Sequence, residues 1–280
     1  MALVERFVST SAVALKPGIK ADSLKSGSRR IDLAMVAGIA IALAATIAGI
    51  ASTGVKLTYF LQPTGALIVL GGTLGVTFIT TPRAALLHSA RRVAGLLWSR
   101  EVDREALLQE IMSFVRNARS VGLVGLDPMV ARAKNPFLKE SLILAMDVRQ
   151  RSELQDALET KLRLRERDGE HDAKTLEVAG GFAPTIGVLG TVVGLIDILR
   201  QFSSLATVAN GIGIAFVSTI YGLALANLVL LPAAHRIRAR TAEEFETHEM
   251  VMEGVLCIFD GLHPSLVSER LTSFLREKTK

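Results

Sequence analysis

Apolar residues gather into four blocks along the chain. Asp, Glu, Lys and Arg are absent between Asp32 and Lys56, from Leu57 through Pro82, from Val178 through Ile196, and from Gln201 through Ala234. About 20 apolar residues cross the hydrocarbon core of a bilayer as a helix, so each block predicts a membrane span. An ordinary water-soluble globule is excluded.

Between the second and third blocks the pattern changes to that of amphipathic helices. Leu107, Ile111, Phe114 and Ala118 recur at helical spacing with charges between them. Gly122, Gly125 and the Asp127-Pro128 pair predict a turn, and Asn135-Pro136 a second one. The second turn leads into Phe137–Met146, and Leu154, Leu158 and Leu162 keep one face apolar. From Lys161 to Lys174 charges of both signs predict a solvated helix that rises into block three. After block four, Phe245, His248, Met252, Val255 and Phe259 form a stripe expected to pack on the inner segment.

Charge sets the expected orientation. Of the 32 Lys and Arg residues, six precede block one, seventeen lie between Pro82 and Val178, and seven follow Ala234. Only Lys56 and Arg200 sit in the other two connections. Basic loops stay cytoplasmic, so both termini and the long middle segment are expected inside the cell, with Tyr59 and Phe60 at the outer interface. The expected fold is an all-α membrane protein. Its parts are a basic cytoplasmic lead (1–30), spans one and two (31–82), a cytoplasmic helical domain (83–177), spans three and four (178–234) and a cytoplasmic helical tail (235–280). The first block is too long for a signal-peptide core and reads as an uncleaved span.

The net charge of +5 is spread over basic residues mixed with 27 acidic ones, so topology explains it better than a nucleic-acid surface does. The single cysteine, Cys257, excludes a disulfide scaffold and is expected to be a buried small hydrophobe. The five histidines lack metal-ligand spacing, and neither a nucleophile–base pair nor a phosphate loop is visible. No cofactor, metal or enzymatic activity is expected.

Small residues mark the spans. Gly180, Ala183, Gly187, Gly190 and Gly194 fall on one face of block three; Gly211, Ala215, Thr219, Gly222 and Ala226 do so in block four. Close helix approach in lipid depends on such seams, and packing within one subunit or docking of another chain both explain them. Thr185, Thr191, Ser218 and Thr219 place hydroxyls on or beside the seams, and Pro184 frees a backbone carbonyl, while Pro232 ends or kinks block four. An ion path usually needs an ionisable group, and the blocks carry none at mid-depth; Asp32 and Asp197 lie near block ends. If ions move here, the carboxylate comes from another chain, and the seams are where it would dock.

The run from Gly180 to Leu195, GGFAPTIGVLGTVVGL, resembles the third membrane helix of the MotA family of flagellar stator subunits. GIGIAFVSTIYG at 211–222, with Ala226-Asn227 and Leu231-Pro232, is similar to its fourth helix. IVLGGTLG at Ile68–Gly75 looks like the second, and Ala118-Arg119, Gly122-Leu123 and Leu126-Asp127 look like the start of its cytoplasmic domain. The resemblance covers about Ile31 to the tail.

This resemblance implies an ion-conducting stator in the bacterial inner membrane: a pentamer of this chain around two copies of a MotB-like, single-span, peptidoglycan-binding partner. The partner would supply an aspartate, and flow of H⁺ or Na⁺ would turn the pentamer and push the rotor protein FliG. It further implies that Pro184 and Pro232 shape the channel and couple ion passage to movement. Thr191 and Thr219 would lie near the partner's aspartate, and Arg119 and Asp127 would face the rotor. Gly187, Gly190, Gly194, Ala215 and Gly222 would form the packing seam. Two other readings stay open: an ExbB/TolQ-like energiser of an envelope process, which has three spans, and a scaffold that conducts no ion.

Overall fold

The structure is a computed structural model and describes residues 30–31, 33–96, 98–99, 103–200 and 205–276. The expected lead over residues 1–30, apart from Arg30, lies outside the described residues, and so does Asp32. Helix dominates, as expected. Among the described residues the one departure is a two-residue antiparallel ladder between β1 (Arg30–Ile31) and β2 (Trp98–Ser99).

Helix α1 (Leu33–Ser52) and α2 (Pro63–Thr80) follow one another around a 3₁₀ turn at Leu57–Phe60. Pro63 starts α2 where its missing N–H has no helical partner to lose. Tyr221 on the fourth apolar helix donates its hydroxyl to Phe60 O and accepts from Gln62 N–H, which ties the turn down. Helix α3 (Arg83–Leu96) comes two residues after α2.

The middle segment folds as α4 (Arg104–Val121), a short α5 (Asp127–Val130) and α6 (Pro136–Asp147). The Asp103 carboxylate accepts from Ala106 N–H at 3.0 Å and caps α4. Gly122, at φ 75°, ends it. Asn135 Oδ1 accepts from the amides of Phe137 and Leu138 and caps α6.

Helix α7 (Arg151–Arg200) is continuous over 50 residues, about 75 Å at 1.5 Å per residue. It carries block three and the charged segment before it, as the sequence predicts. Helix α8 (Leu205–Ala224) runs through a π-helical stretch at Leu225–Leu230 into α9 (Leu231–Phe259), and α10 (Pro264–Arg276) closes the chain. Pro232 therefore does not end block four. A proline ring crowds the carbonyl of residue i−4, here Leu228, and the wider π turn directly before Pro232 takes up that misfit. By length and composition, four helical stretches suffice to cross a membrane: Met35–Ser52, Leu57–Thr80, and the apolar parts of Arg151–Arg200 and Gly211–Phe259.

The largest core joins the middle segment to the tail. Leu107, Ile111, Phe114, Leu138, Leu142, Leu154, Leu158 and Leu162 bury against Met250, Val251, Val255, Ile258, Val267 and Leu271. Of the stripe expected on α9 only Val255 is fully buried; Phe245, Met252 and Phe259 are partly buried. The helix is covered on more than one side because α4, α6 and α10 all pack on it. Cys257 is buried as expected, its thiol donating to Glu253 Oε1 at 3.7 Å, and burial pushes its pKa up to about 11.

Candidate ion pathway and its inner support

The two small-residue seams face each other within this one chain. A Cβ on Gly187 would come within 3.0 Å of Ser218 O and 3.2 Å of Thr219 Cα, and one on Gly194 within 2.9 Å of Ala215 Cβ. A Cβ on Gly190 would lie 2.8 Å from Ser218 Cβ, and Gly222 sits against the backbone of Ala183 and Gly187. All five predicted seam residues therefore meet across α7 and α8. Of the two explanations the sequence leaves open, packing within one subunit accounts for these five residues, since small side chains let α7 and α8 approach closely.

At that seam the predicted hydroxyls converge. Thr191 Oγ1 lies 2.6 Å from Thr219 Oγ1, donates toward Ala215 O at 3.0 Å, and is 3.3 Å from Gly187 O. Thr219 Oγ1 is 3.5 Å from Gly187 O. Two hydroxyls and two carbonyls thus gather at one level. Ser218 is buried and presses on both Gly190 and Gly65 of α2, so α2 is the third wall. Thr185 instead bonds back to Phe182 O on the exposed side of α7.

Pro184 and Pro232 belong to the adjoining stretch of the same contact. Gly180, one turn before Pro184, abuts Leu231, and Ala183 abuts Gly222. The carbonyl of Gly180 has no helical N–H to accept from, because residue 184 is proline. Outside the apolar helices, Arg119 and Asp127 are both exposed, on either side of the turn that Gly122 initiates. The structure does not join them in an ion pair.

Sequence reasoning missed the polar support under these helices. Asp172 is 2% exposed on α7. It sits 2.7 Å from His88 Nδ1, 3.0 Å from Ser89 Oγ and 3.3 Å from Arg92 Nε, all on α3. Arg92 also donates to Thr241 Oγ1 on α9 at 3.0 Å, and Thr241 fills the space that Gly169 leaves open. The segment read as a solvated charged helix therefore has a buried face made of Gly169, Asp172, Ala173 and Thr175. The signal was present in the helical spacing of Gly169, Ala173 and Leu176, hidden among charges. A second clamp joins α9 to α7: Arg238 bonds Glu177 at 2.7 Å and Glu170 at 3.1 Å. The Arg238 hydrogen bond holds the Glu177 carboxyl below its usual range.

Comparison with known proteins places this architecture. Residues 130–250 match the model of the MotA/TolQ/ExbB proton channel family. Motility protein A of Bacillus subtilis is 26% identical over 251 residues, spanning 89% of this chain and 93% of the relative. Chemotaxis protein PomA of Vibrio alginolyticus is 27% identical over 246 residues, spanning 88% and 94%. The chain superposes on the solved flagellar MotAB stator complex from Bacillus subtilis with a TM-score of 0.80 and 26% identity, covering 87% of this chain and 96% of that one. Matched by this family model over residues 130–250 and by relatives along nearly their whole length, the chain is a multi-pass membrane protein that carries a MotA/TolQ/ExbB proton channel family domain.

Proposed function

We propose that this chain is the ion-conducting stator subunit of a bacterial flagellar motor. The observation that carries the reading is the end-to-end likeness to Motility protein A and PomA, which runs through both membrane seams and the inner domain alike. The geometry supports it: the hydroxyl and carbonyl cluster at Thr191 and Thr219 provides polar contacts inside an apolar helix pair, and the spans bring no carboxylate to that level.

In this reading the four apolar helices are spans in the inner membrane, both termini are cytoplasmic, and α3 to α6 with the lower halves of α7 and α9 form the inner domain. A MotB-like partner with one span supplies the missing carboxylate, and a pentamer of this chain surrounds two copies of it. Pro184 and Pro232, about one helical turn apart in level along the same helix contact, form a compliant joint: each removes a backbone hydrogen bond from a helix that runs from the membrane into the inner domain. A change in charge state beside Thr191 would bend α7 and α8–α9 there and displace the inner domain. Arg119 and Asp127, exposed at its turn, are the contacts offered to FliG on the rotor.

Full-length likeness to Motility protein A favours this over an ExbB/TolQ-like energiser or a scaffold. Complementation tests it: in cells lacking this chain, the wild-type gene restores swimming and Pro184→Leu does not, at equal membrane levels. Recovery of swimming by Pro184→Leu supports the scaffold instead. The coupling ion is H⁺ or Na⁺. Swimming speed against external sodium, with and without a protonophore, assigns it.

A further inference from the structure

Helix α3 offers a surface that the stator reading leaves unused. Its two ends are both fixed to the inner ends of apolar helices. Arg83 follows α2 after only Thr81 and Pro82. At the other end Leu96 is buried with Ala173, Ala233 and Ile237, and Met35 near the start of α1 packs on the same cluster. A helix of 14 residues, about 21 Å long, with both ends at that level lies along the inner rim and not down into the domain. Its orientation about its own axis is fixed too. Ser89 and Arg92 turn inward to Asp172, and Arg240 donates to the carbonyls of Gly95 and Leu96 at 3.0 and 2.6 Å.

The opposite side carries Arg83, Leu87 and Arg91 in one row at intervals of four residues. All three are exposed, Leu87 by 61%. The sequence holds no Asp or Glu from Leu33 through Arg100, so α3 has no acid of its own to neutralise these guanidinium groups. An apolar side chain between two cations on a helix lying in the interface fits a leaflet whose headgroups are anionic.

We infer that the Arg83–Leu87–Arg91 row binds anionic phospholipid headgroups of the inner leaflet and anchors α3 to it. Resting on the four-span topology proposed above, this assigns a lipid partner to the helix that connects span two to the inner domain. Leu87 inserts among the acyl chains, and the two arginines hold phosphate oxygens as a charge-assisted contact.

The test uses the full chain with its single-span partner, reconstituted into bilayers of phosphatidylcholine with one quarter phosphatidylglycerol. Spin-labelled forms of each lipid report which is enriched next to the protein. Each arginine at an anionic surface favours it by about five-fold. Wild type is therefore expected to prefer phosphatidylglycerol, and Arg83→Gln/Arg91→Gln to lose most of that preference. Arg83→Lys/Arg91→Lys, which keeps the charge, retains it, and Arg163→Gln, a distant exposed site on α7, leaves it unchanged. Equal enrichment of both lipids around wild type, or an undiminished preference in the glutamine pair, overturns the inference. So does a change in assembly mass in the glutamine pair, which would make the row a contact between copies of this chain. A cysteine placed at Ala90 tests the underlying topology separately, since native Cys257 is buried. Labelling from the outer side of intact cells refutes the four-span reading whatever the lipid result.

Discussion

The hydroxyl oxygens of Thr191 and Thr219 meet at 2.6 Å across the line where α7 and α8 touch. One turn to either side of each along the seam lies glycine or alanine (Gly187 and Gly194, Ala215 and Gly222), and that smallness lets the two helices close enough for side chains so short to reach one another. A hydroxyl pair of this kind satisfies itself when nothing is bound and has lone pairs to offer when something is.

Thr191→Ala removes a part-buried hydrogen bond and leaves Ala215 O without its side-chain donor. The expected stability loss is about 1 kcal/mol, read as a lower melting temperature of the detergent-solubilised complex. Rotation of tethered cells should fall far more than that loss explains. Thr191→Ser keeps the hydroxyl and should keep most of the rotation.

Gly222 and Gly213 separate close packing from helix propensity. A Cβ on Gly222 would strike the backbone of Ala183 and Gly187, whereas one on Gly213 would meet nothing within 4 Å. Gly222→Ala should destabilise by about 1–3 kcal/mol. Gly213→Ala should be neutral or stabilise by up to about 1 kcal/mol. Thermal melts of the two variants in the same detergent compare them directly.

Asp172→Asn keeps the shape of the buried site and removes its charge. Arg92 and His88 would then face a neutral amide, and removing one member of a buried charged cluster is costly. Because Arg92 is partly exposed, the expected loss is about 2 kcal/mol, smaller than for a fully buried pair. Hydrogen exchange should increase in α3 before it increases in α4.

His248 stacks on Phe137 at 4.2 Å between ring centroids, and Arg165 lies over the same phenyl ring. Burial pulls its pKa down from 6.5 to about 4, with Arg165 adding to the effect. The folded protein thus refuses a proton that the unfolded chain accepts. Above pH 6.5 this contribution to stability is complete; it is lost as pH falls from 6.5 toward 4, by about 2 kcal/mol after allowance for partial exposure. His248→Phe should flatten that part of the melting-temperature profile and leave the profile above pH 7 unchanged.

The elements of this fold were largely legible in the sequence because helices announce themselves by period. The four blocks and the turn at Gly122 fall where the structure has them, and the turn expected at Asn135-Pro136 is where α6 starts. The seam residues were legible as small, but which face they meet was not, since a glycine row serves a neighbour in the same chain and one in another equally well. Whether Pro232 ends or only distorts block four was not legible, because the sequence does not display the π turn that accommodates it. Asp172 was lost for a simpler reason. In a run of mixed charges a carboxylate looks solvated, and only the arrival of His88, Ser89 and Arg92 from a segment 80 or more residues away makes it a buried acceptor.

Ion flux into vesicles, measured for this chain alone and together with the single-span partner proposed for it, tests the central claim most directly. The account predicts that the chain alone is silent, that the pair conducts, and that changing the acidic residue in the partner's span to its amide abolishes flux with assembly intact. Conduction by this chain without any partner, or undiminished flux with the amide, would contradict it.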